Sequence, residues 1–433
     1  MLETLHSTTT SAGLWASLAA KLNSFAKDSK LVQRISKQFS PQAFLLSQLE
    51  AVSTGRASLN QLVASIGRDD DCLKISPQAL QKRITRTECG VEGFLGRCLS
   101  HICQWKFLNT RPAGTSPFGR IVLEDSTFVR FPKGNAEDFP GHGNASGATA
   151  GCKVDLAFDL LGGALIRNEL HLGTETDNTI GADLVDELVA NDLVLRDMGY
   201  FGVDNFRLIE ALNAFWLSRL PLTADVVTAR GVALEKVLES HRGNTLDIAV
   251  KLTAKGHSAR LVAIRASRQE TEKRRREHRA EAKKRGRSAT KKTLIRDGWH
   301  LMVTNVPKTM QAAADLAGIY SQRWHIEIVF RAWKQAGNLS KALNRDSSPQ
   351  HLKGLVLAGM IALAVSLKIG IALARRHPER RYSMEKIFDY IISRLVALKK
   401  LSDIALFNPD PRHLQGQKRS RNSLNCRLLE LLG

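Results

Sequence analysis

The spacing of hydrophobic residues is helical from the start of the chain to about residue 112. Ser-Pro pairs at 40–41 and 76–77 each place a capping residue before a proline, which is typical of a helix N-terminus. The second of these helices carries Lys82, Arg83 and Arg86 close together. Two interpretations of this basic helix remain open: a helix-turn-helix-like DNA-binding element, or a surface helix of an ordinary bundle.

Short apolar runs and alternating segments follow, and they predict a sheet. The run IVLED at 121–125 predicts a strand that ends in acid, and TFVRF begins a return strand. The Gly/Asn/Ser-rich segment at 141–151 predicts a mobile loop. Alternation on both sides of a Gly-Gly turn at 162–163 predicts a β-hairpin. The remaining predicted elements are a helix at about 180–189, a strand at 192–197, a helix at 203–214 and a strand at 215–220.

Residues 221–307 are polar and β-rich, with apolar runs such as TLDIAV and WHLMVTNV. A basic run at 268–296 lies inside this region and holds 13 Lys/Arg against four Glu. Such a run is usually a solvated, flexible surface, but it also suits phosphate groups, and we expect it to contact DNA. Helical spacing resumes after residue 307. The apolar stretch at 354–367 is shorter than the about 20 residues that span a membrane, so it predicts a buried core helix.

Composition narrows the choice of partner. The 433 residues include 63 Lys+Arg and 42 Asp+Glu, and the resulting net charge of +21 favours a polyanion. Nucleic acid is the leading candidate, and an anionic membrane surface is the alternative. Six cysteines without metal-ligand spacing argue against structural zinc and predict reduced, mostly buried thiols. The first residues lack the pattern of a signal peptide, so we expect a cytosolic protein.

Two of the apolar strands end in aspartates, Asp125 and Asp197. If the strands are neighbours in one sheet, their carboxylates emerge at the same edge, and Glu327 on a later helix can complete a cluster. Other acids of the same region are rivals for this role: Glu124, Asp155 and Asp159. Glu124 must point to the opposite face of the strand from its neighbour Asp125.

The segment YSQRWHIEIVFRAWK carries four polar residues in one stripe, if it is a single helix. At about 100° per residue the four lie within about 60° of each other, in the order Tyr320, Arg323, Glu327 and Lys334. A solvated face with an ion pair is the simpler interpretation of such a stripe. Converging carboxylates, however, need a cation between them, and hard oxygen ligands suit Mg²⁺ or Mn²⁺. Two such ions would support phosphodiester chemistry, with Arg323 and Lys334 on phosphate oxygens and Tyr320 donating a hydrogen bond.

These residues together resemble those of a DDE transposase of the IS4 type, similar in plan to the Tn5 transposase. The quartet matches the family's Y-x2-R-x3-E-x6-K signature without a gap, and LEDST and RDMGY match the segments around the first two acids. The resemblance implies that Asp125, Asp197 and Glu327 are the catalytic ligands of two Mg²⁺ or Mn²⁺ ions. It also implies DNA-binding roles for the other residues that match the family: Tyr320, Arg323, Lys334, Trp299, Trp324 and Arg219. The two tryptophans would stack on or brace a base flipped from the DNA end.

The fold that the resemblance implies is α/β, with an RNase H-like catalytic core, a β-rich insertion and flanking helical regions. The expected domains are an N-terminal helical, DNA-binding domain (1–112), the core in two parts (113–220 and 308–375), the insertion with its basic arm (221–307) and a C-terminal helical dimerisation region (376–433). The implied function is cut-and-paste transposition on double-stranded DNA by a homodimer, with a hairpin intermediate in close relatives. We expect a cytoplasmic, nucleoid-associated protein. The alternatives are an RNase H-like nuclease without strand transfer and a catalytically silent DNA-binding regulator.

Overall fold

The computed structural model describes most of the chain: residues 11–34, 37–68, 73–86, 90–105, 116–144, 147–252, 255–336, 338–343, 347–376, 380, 382–396, 412–415 and 423–424. The fold is mixed α/β, with helices on both sides of the strand-rich middle of the sequence. The described residues fall into two compact units.

The bounds of the elements are as follows. The α-helices are α1 Ser11–Asp28, α2 Pro41–Thr54, α3 Leu59–Ile66, α4 Pro77–Ile84, α5 Gly90–Gln104, α6 Asp177–Asp183, α7 Val203–Ala211, α8 Leu234–Ser240, α9 Arg268–Lys284, α10 Lys291–Arg296, α11 Ala313–Ser321, α12 Trp324–Ala336, α13 Leu339–Leu343, α14 Pro349–Arg376 and α15 Met384–Val396. The strands are β1 Ile121–Phe131, β2 Pro140–Asn144, β3 Gly147–Asp159, β4 Leu165–Leu172, β5 Leu193–Arg196, β6 Phe215–Arg219, β7 Val226–Thr228, β8 Thr245–Leu252, β9 His257–Arg265, β10 Trp299–Thr304, β11 Tyr382–Ser383 and β12 Ser423–Leu424.

The first unit comprises Met1–Ala113, Ser126–Glu175 and His325–Arg427, and its core is the apolar helix α14. This helix packs against α2, α5 and α15. It is long and apolar enough to cross a membrane, but 89% of its most apolar window is buried inside the protein. The predicted core helix is therefore confirmed.

Lys368 is a buried cation on α14, only 2% exposed. Its Nζ donates to the backbone oxygens of Cys103 and Trp105, at 3.2 and 2.6 Å. These carbonyls lie at the C-terminal end of α5, where backbone oxygens have no partner inside the helix. Burial lowers the pKa of Lys368 to about 8. A lysine here therefore caps one helix from the middle of another.

Both predicted helix starts in the N-terminal region are confirmed. Ser40 caps α2 and Ser76 caps α4, each accepting a hydrogen bond from the backbone three residues on. Arg83 of α4 and Arg86, which follows this helix, make contacts inside the first unit. Arg83 donates to the backbone oxygen of Leu31 and lies over the ring of Phe39, and Arg86 donates to that of Lys30. This geometry favours the interpretation of α4 as a basic surface helix of a bundle.

The glycine-rich segment at 141–151 was predicted to be a mobile loop, and this prediction is wrong for its described residues. They form β2 and the start of β3, which pair antiparallel. The glycines let an aromatic ring approach the backbone closely, because a Cβ on Gly151 would lie 2.5 Å from the ring of Phe128 and one on Gly173 would lie 2.7 Å from it. Glycine here serves close packing and not flexibility. The hairpin predicted around 162–163 is confirmed as β3 and β4.

The return strand predicted for TFVRF is also wrong, because β1 continues without a turn through Phe131. Its residues up to Asp125 belong to the second unit, and those from Ser126 belong to the first. The second unit further comprises Thr176–Trp324 and Leu428–Gly433. Its strands follow the order β1-β5-β6-β10-β9-β8-β7. Strands β1, β5 and β6 are parallel, and β10 begins an antiparallel portion.

The segment predicted as a β-rich insertion has strands, but its basic run is helical. Residues 268–284 form α9, capped by Ser267, which accepts a hydrogen bond from the backbone of Glu270. Oppositely charged side chains four residues apart support this helix, including Arg268 with Glu272 and Arg285 with Glu281. The flexible surface expected for the run is therefore replaced by a regular helix.

Candidate active site

Asp125 lies within β1 and Asp197 directly follows β5, at matching positions of two neighbouring parallel strands. The pairing of β1 with β5 joins Ile121 to Leu193 and Leu123 to Leu195, so the two aspartates follow at matching positions, two residues later on each strand. Both side chains are partly exposed. The side-by-side placement predicted from the apolar runs is confirmed within the second unit.

Beside this pair lies a buried ion pair that involves the preceding residue of each strand. Arg196 Nε donates to Glu124 Oε2 at 2.6 Å, and both side chains are 0% exposed. Arg196 also donates to the backbone oxygen of Gly181 at 2.5 Å. Because side chains alternate along a strand, Glu124 and Arg196 occupy the face opposite the two aspartates. Glu124 is thereby a structural residue and not a rival for the site.

The polar stripe of the sequence motif is not carried by one continuous helix, contrary to the prediction. Helix α11 ends at Ser321, and α12 begins at Trp324. In between, the backbone N–H of Gln322 bonds to Ile319 and that of Arg323 to Tyr320, both at 3.0 Å. These bonds span three residues instead of four, so the angular positions of a regular α-helix do not hold across the junction.

Tyr320 and Arg323 lie close to the two aspartates. The hydroxyl of Tyr320 donates to the backbone oxygen of Arg196, the residue before Asp197, at 3.2 Å. Burial raises the pKa of Tyr320 to about 12. Arg323 is buried, and its guanidinium lies 3.6 Å from Asp125 Oδ2. The pairing of β1 with β5 and the α11–α12 junction thus bring two acids, a phenol and a guanidinium together.

Glu327 and Lys334 belong to the first unit, as part of α12 beyond its first residue. Glu327 lies in the first turn of this helix, four residues after Arg323. Lys334 Nζ donates to the backbone oxygen of Phe128 at 3.0 Å. The ammonium remains exposed, and partial desolvation together with Arg130 lowers its pKa. Lys334 is therefore held at the part of β1 that follows Asp125.

Trp324 and Trp299, the two tryptophans expected to hold a flipped base, lie in different environments. Trp324 directly follows Arg323 and is 42% exposed. Trp299 is 4% exposed, and the guanidinium of Arg265 covers its ring at 4.2 Å from the centroid. In this conformation Trp299 packs as a core aromatic.

Arg219 ends β6 and pairs with Met302 of β10. Its charge acts on Tyr320, where it opposes the rise in pKa. The arginine therefore adds positive charge near the phenol and the aspartates of the second unit.

The oxygen atoms of the two aspartates suit a hard divalent cation. Oδ1 of Asp197 is buried, and within the described residues no group donates a hydrogen bond to it. A buried carboxylate oxygen without a donor is costly unless a cation compensates it, so the pair fits Mg²⁺ or Mn²⁺ chemically. Among the described residues, no group of three or more His, Cys, Asp or Glu side chains is arranged to hold a metal ion.

Sequence reasoning missed the Glu124–Arg196 pair and the contact of Tyr320 with the backbone of β5. A signal for the Glu124–Arg196 pair was present, since each residue lies between an apolar run and an aspartate. A charged residue inside a buried run needs a partner of opposite charge.

The two aspartates, Tyr320 and Arg323 lie close together on a mixed α/β scaffold, and comparison with known proteins specifies the class of protein. Residues 116–360 match the family model described as the Transposase DDE domain, which covers more than half of the chain. The chain belongs to this DDE transposase family.

Transposases of bacterial insertion sequences are similar to this chain. It is 26% identical over 349 residues to the transposase for insertion sequence element IS231C of Bacillus thuringiensis subsp. berliner, covering 75% of this chain and 72% of that protein. It is 23% identical over 340 residues to the transposase for IS1151 of Clostridium perfringens, covering 72% of this chain and 70% of that protein. The predicted membership among DDE transposases of insertion sequences is confirmed. The similarity in plan to the Tn5 transposase stays a prediction.

Proposed function

We propose that this protein is the transposase of an insertion sequence that moves by a cut-and-paste route. It would bind the terminal inverted repeats, hydrolyse a phosphodiester bond at each element end and join the freed 3′-hydroxyls to target DNA. The observation that carries the proposal is the placement of Asp125 and Asp197 side by side with Arg323 facing them, inside the matched transposase domain.

Three carboxylates are proposed as the metal ligands: Asp125, Asp197 and Glu327. Glu327 is included because it matches the third acid of the signature and follows Arg323 by four residues. The buried, undonated oxygen of Asp197 supports a cation at this position. A bound Mg²⁺ or Mn²⁺ would lower the pKa of an attacking water or 3′-hydroxyl and stabilise the leaving oxygen.

The basic residues around the acids would hold the phosphate that reacts. Arg323 can bind two phosphate oxygens at once, and it is already oriented towards Asp125. Lys334 and Arg219 would add point charges to the same DNA end, and exposed Trp324 offers a ring on which an unpaired base can stack. For Tyr320 we propose a different role from the one that the resemblance implies. Its hydroxyl supports the backbone carbonyl before Asp197 and so fixes the position of that carboxylate.

The proposed core is RNase H-like. The parallel neighbours β1, β5 and β6 and the hairpin strands β3 and β4 support this proposal. We retain as proposals the domain boundaries at residues 112, 220, 307 and 375 and the dimerisation role of residues 376–433. One active site for each element end requires at least a homodimer on paired ends, acting on double-stranded DNA in the bacterial cytoplasm.

A strand-transfer assay tests the proposal. The full-length protein is incubated with Mg²⁺, a labelled duplex that carries one end of its own element, and a supercoiled target plasmid. We expect cleaved ends and joined products from the wild type, and neither from Asp125→Asn or Asp197→Asn. The matched control is Asp186→Asn, an exposed aspartate of the same unit, which should retain both products.

Each rival function has its own outcome in this assay. Cleaved ends without joined products would identify a nuclease that does not transfer strands. Binding of the element end without any cleavage in the wild type would identify a regulator. Equal activity of the wild type and Asp125→Asn would refute the catalytic role of the aspartate pair.

A further inference from the structure

The basic helix α9 has an inner face that is attached to the rest of the second unit. Three side chains make this attachment: Arg274 donates to the backbone oxygen of Trp299 at 3.2 Å, Arg275 donates to that of Leu294 at 2.9 Å, and His278 Nδ1 lies 2.8 Å from Asp297 Oδ1. Side chains at these positions share one face of a helix. The attachment therefore fixes which face of α9 points outward.

The acids of α9 are all neutralised by cations of the same segment. Each glutamate has a partner four residues away: Glu270 with Arg274, Glu272 with Arg268, Glu277 with Lys273, and Glu281 with Arg285. The surplus positive charge of the helix is therefore not spread evenly. It resides on the cations of the helix that form no ion pair among the described residues.

Three such cations form one exposed stripe, the outward cations Arg276, Arg279 and Lys283. Within the described residues they make no ion pair or hydrogen bond. At about 100° per residue they lie within about 60° of one another around the helix, and the centre of the stripe is about 125° from the centre of the attached face, with Arg279 next to Arg275. They span about 10 Å along the axis at about 1.5 Å per residue. Along the duplex axis, successive phosphates of one DNA strand are about 3.4 Å apart, so the length of the stripe corresponds to about three phosphates.

We propose that the outward cations bind consecutive phosphates on one strand of duplex DNA, independently of base sequence. The inference rests on the proposed transposase function and adds a DNA-contacting surface to it. An anionic membrane is disfavoured as the partner, since α9 contains no apolar residue larger than alanine. A helix that lies on a membrane needs a broad apolar face as well as basic residues.

The test compares two triple variants of the full-length protein that change the net charge equally. One removes the outward cations, as Arg276→Gln, Arg279→Gln and Lys283→Gln. The control removes the paired cations, as Arg268→Gln, Lys273→Gln and Arg285→Gln. Binding to a fluorescent mixed-sequence duplex of 40 base pairs is measured by anisotropy as the salt concentration is varied.

The slope of log affinity against log salt reports the number of phosphates contacted, at about 0.9 per phosphate. We expect the outward variant to reduce this slope by 2 to 3, equally for duplexes of different sequence. A fourfold rise in salt would then weaken the wild type about 40-fold more than this variant. The control should change the slope by less than 1. The conservative variant Arg276→Lys, Arg279→Lys and Lys283→Arg should retain the wild-type slope.

Several outcomes overturn the inference. Equal losses in the outward and control variants would show that only the total charge matters. No loss in the outward variant, with normal binding by the wild type, would exclude the stripe but leave the proposed function intact. Binding that is lost from phosphatidylserine vesicles but not from DNA would assign the surface to membranes. A wild type that binds no duplex DNA would refute both proposals.

Discussion

The ion pair between Glu124 and Arg196 gives the sharpest prediction about the scaffold of the site. Both side chains are 0% exposed, and the Nε–Oε2 distance is 2.6 Å. Replacing Glu124 with Gln leaves the Arg196 charge buried without its counterion, and removing one partner of such a pair costs about 3–5 kcal/mol. The retained hydrogen bond from Arg196 to Gly181 does not compensate the charge. We therefore expect a loss of about 3 kcal/mol around β5.

Hydrogen–deuterium exchange followed by mass spectrometry measures this loss locally. Peptides that contain Leu193–Arg196 should exchange more than a hundredfold faster in Glu124→Gln than in the wild type, since about 1.4 kcal/mol corresponds to a factor of ten. The double variant Glu124→Leu/Arg196→Met should be less destabilised than the single one, because it leaves no unpaired buried charge.

The matched control is an exposed ion pair of the same unit. Arg268 and Glu272 are 93% and 57% exposed, and Glu272→Gln should change exchange of its own peptides by less than about fivefold. An effect of Glu124→Gln no larger than that of Glu272→Gln would refute the claim that the buried pair stabilises the strand ends.

Four further predictions concern other parts of the chain. As the pH rises from about 8 to about 10, the free energy of unfolding of the wild type should rise by about 2 kcal/mol relative to Lys368→Met. The reason is that the folded-state pKa is lowered, so the unfolded chain binds the extra proton in this range. Denaturant titrations across the range check the sign. Gly151→Ala should destabilise the first unit by about 1–3 kcal/mol in the same titration, since a Cβ would lie 2.2 Å from a backbone oxygen; no loss would contradict the packing argument. Trp299→Ala should lower the free energy of unfolding by about 3–5 kcal/mol. Trp324→Ala should weaken binding of DNA with an unpaired end base and leave thermal unfolding unchanged. A loss of stability in Trp324→Ala, with a loss of DNA binding only in Trp299→Ala, would contradict the roles given to the two tryptophans.

Local sequence patterns predicted the structure correctly where the conformation of a residue depends on its neighbours in sequence. The serine caps at 40 and 76, the hairpin around 162–163 and the strand that ends just before Asp197 follow from short-range rules of capping, alternation and strand ends. The end predicted for the first strand at Asp125 is wrong, because β1 continues to Phe131. The partner of a residue on a neighbouring strand could not be predicted from local sequence. Alternation places Glu124 opposite Asp125, but only the pairing of β1 with β5 shows that Arg196 is its counterion.

The other wrong predictions concern the glycine-rich segment, the single polar helix and the basic run. For the first two, the physical cause has only a weak signal in the sequence. Glycine is equally compatible with a mobile loop and with close packing, and only the ring of Phe128 against Gly151 decides between them. The junction at Gln322 and Arg323 keeps the apolar spacing of a helix while its backbone bonds shorten to three residues. The helical form of the basic run was available from the spacing of Arg268 and Glu272, four residues apart on a segment without glycine or proline.

Affinity cleavage by iron tests most directly whether the two aspartates hold a divalent cation. The full-length protein is loaded with Fe²⁺ and treated with ascorbate and peroxide, so that hydroxyl radicals cut the backbone next to the bound ion, and the fragments are mapped by mass spectrometry. The account predicts cuts beside Asp125 and Asp197 that Mg²⁺ suppresses, that Asp197→Asn abolishes and that Asp186→Asn retains. Cuts elsewhere in the chain, or a fragment pattern unchanged in Asp197→Asn, would contradict it.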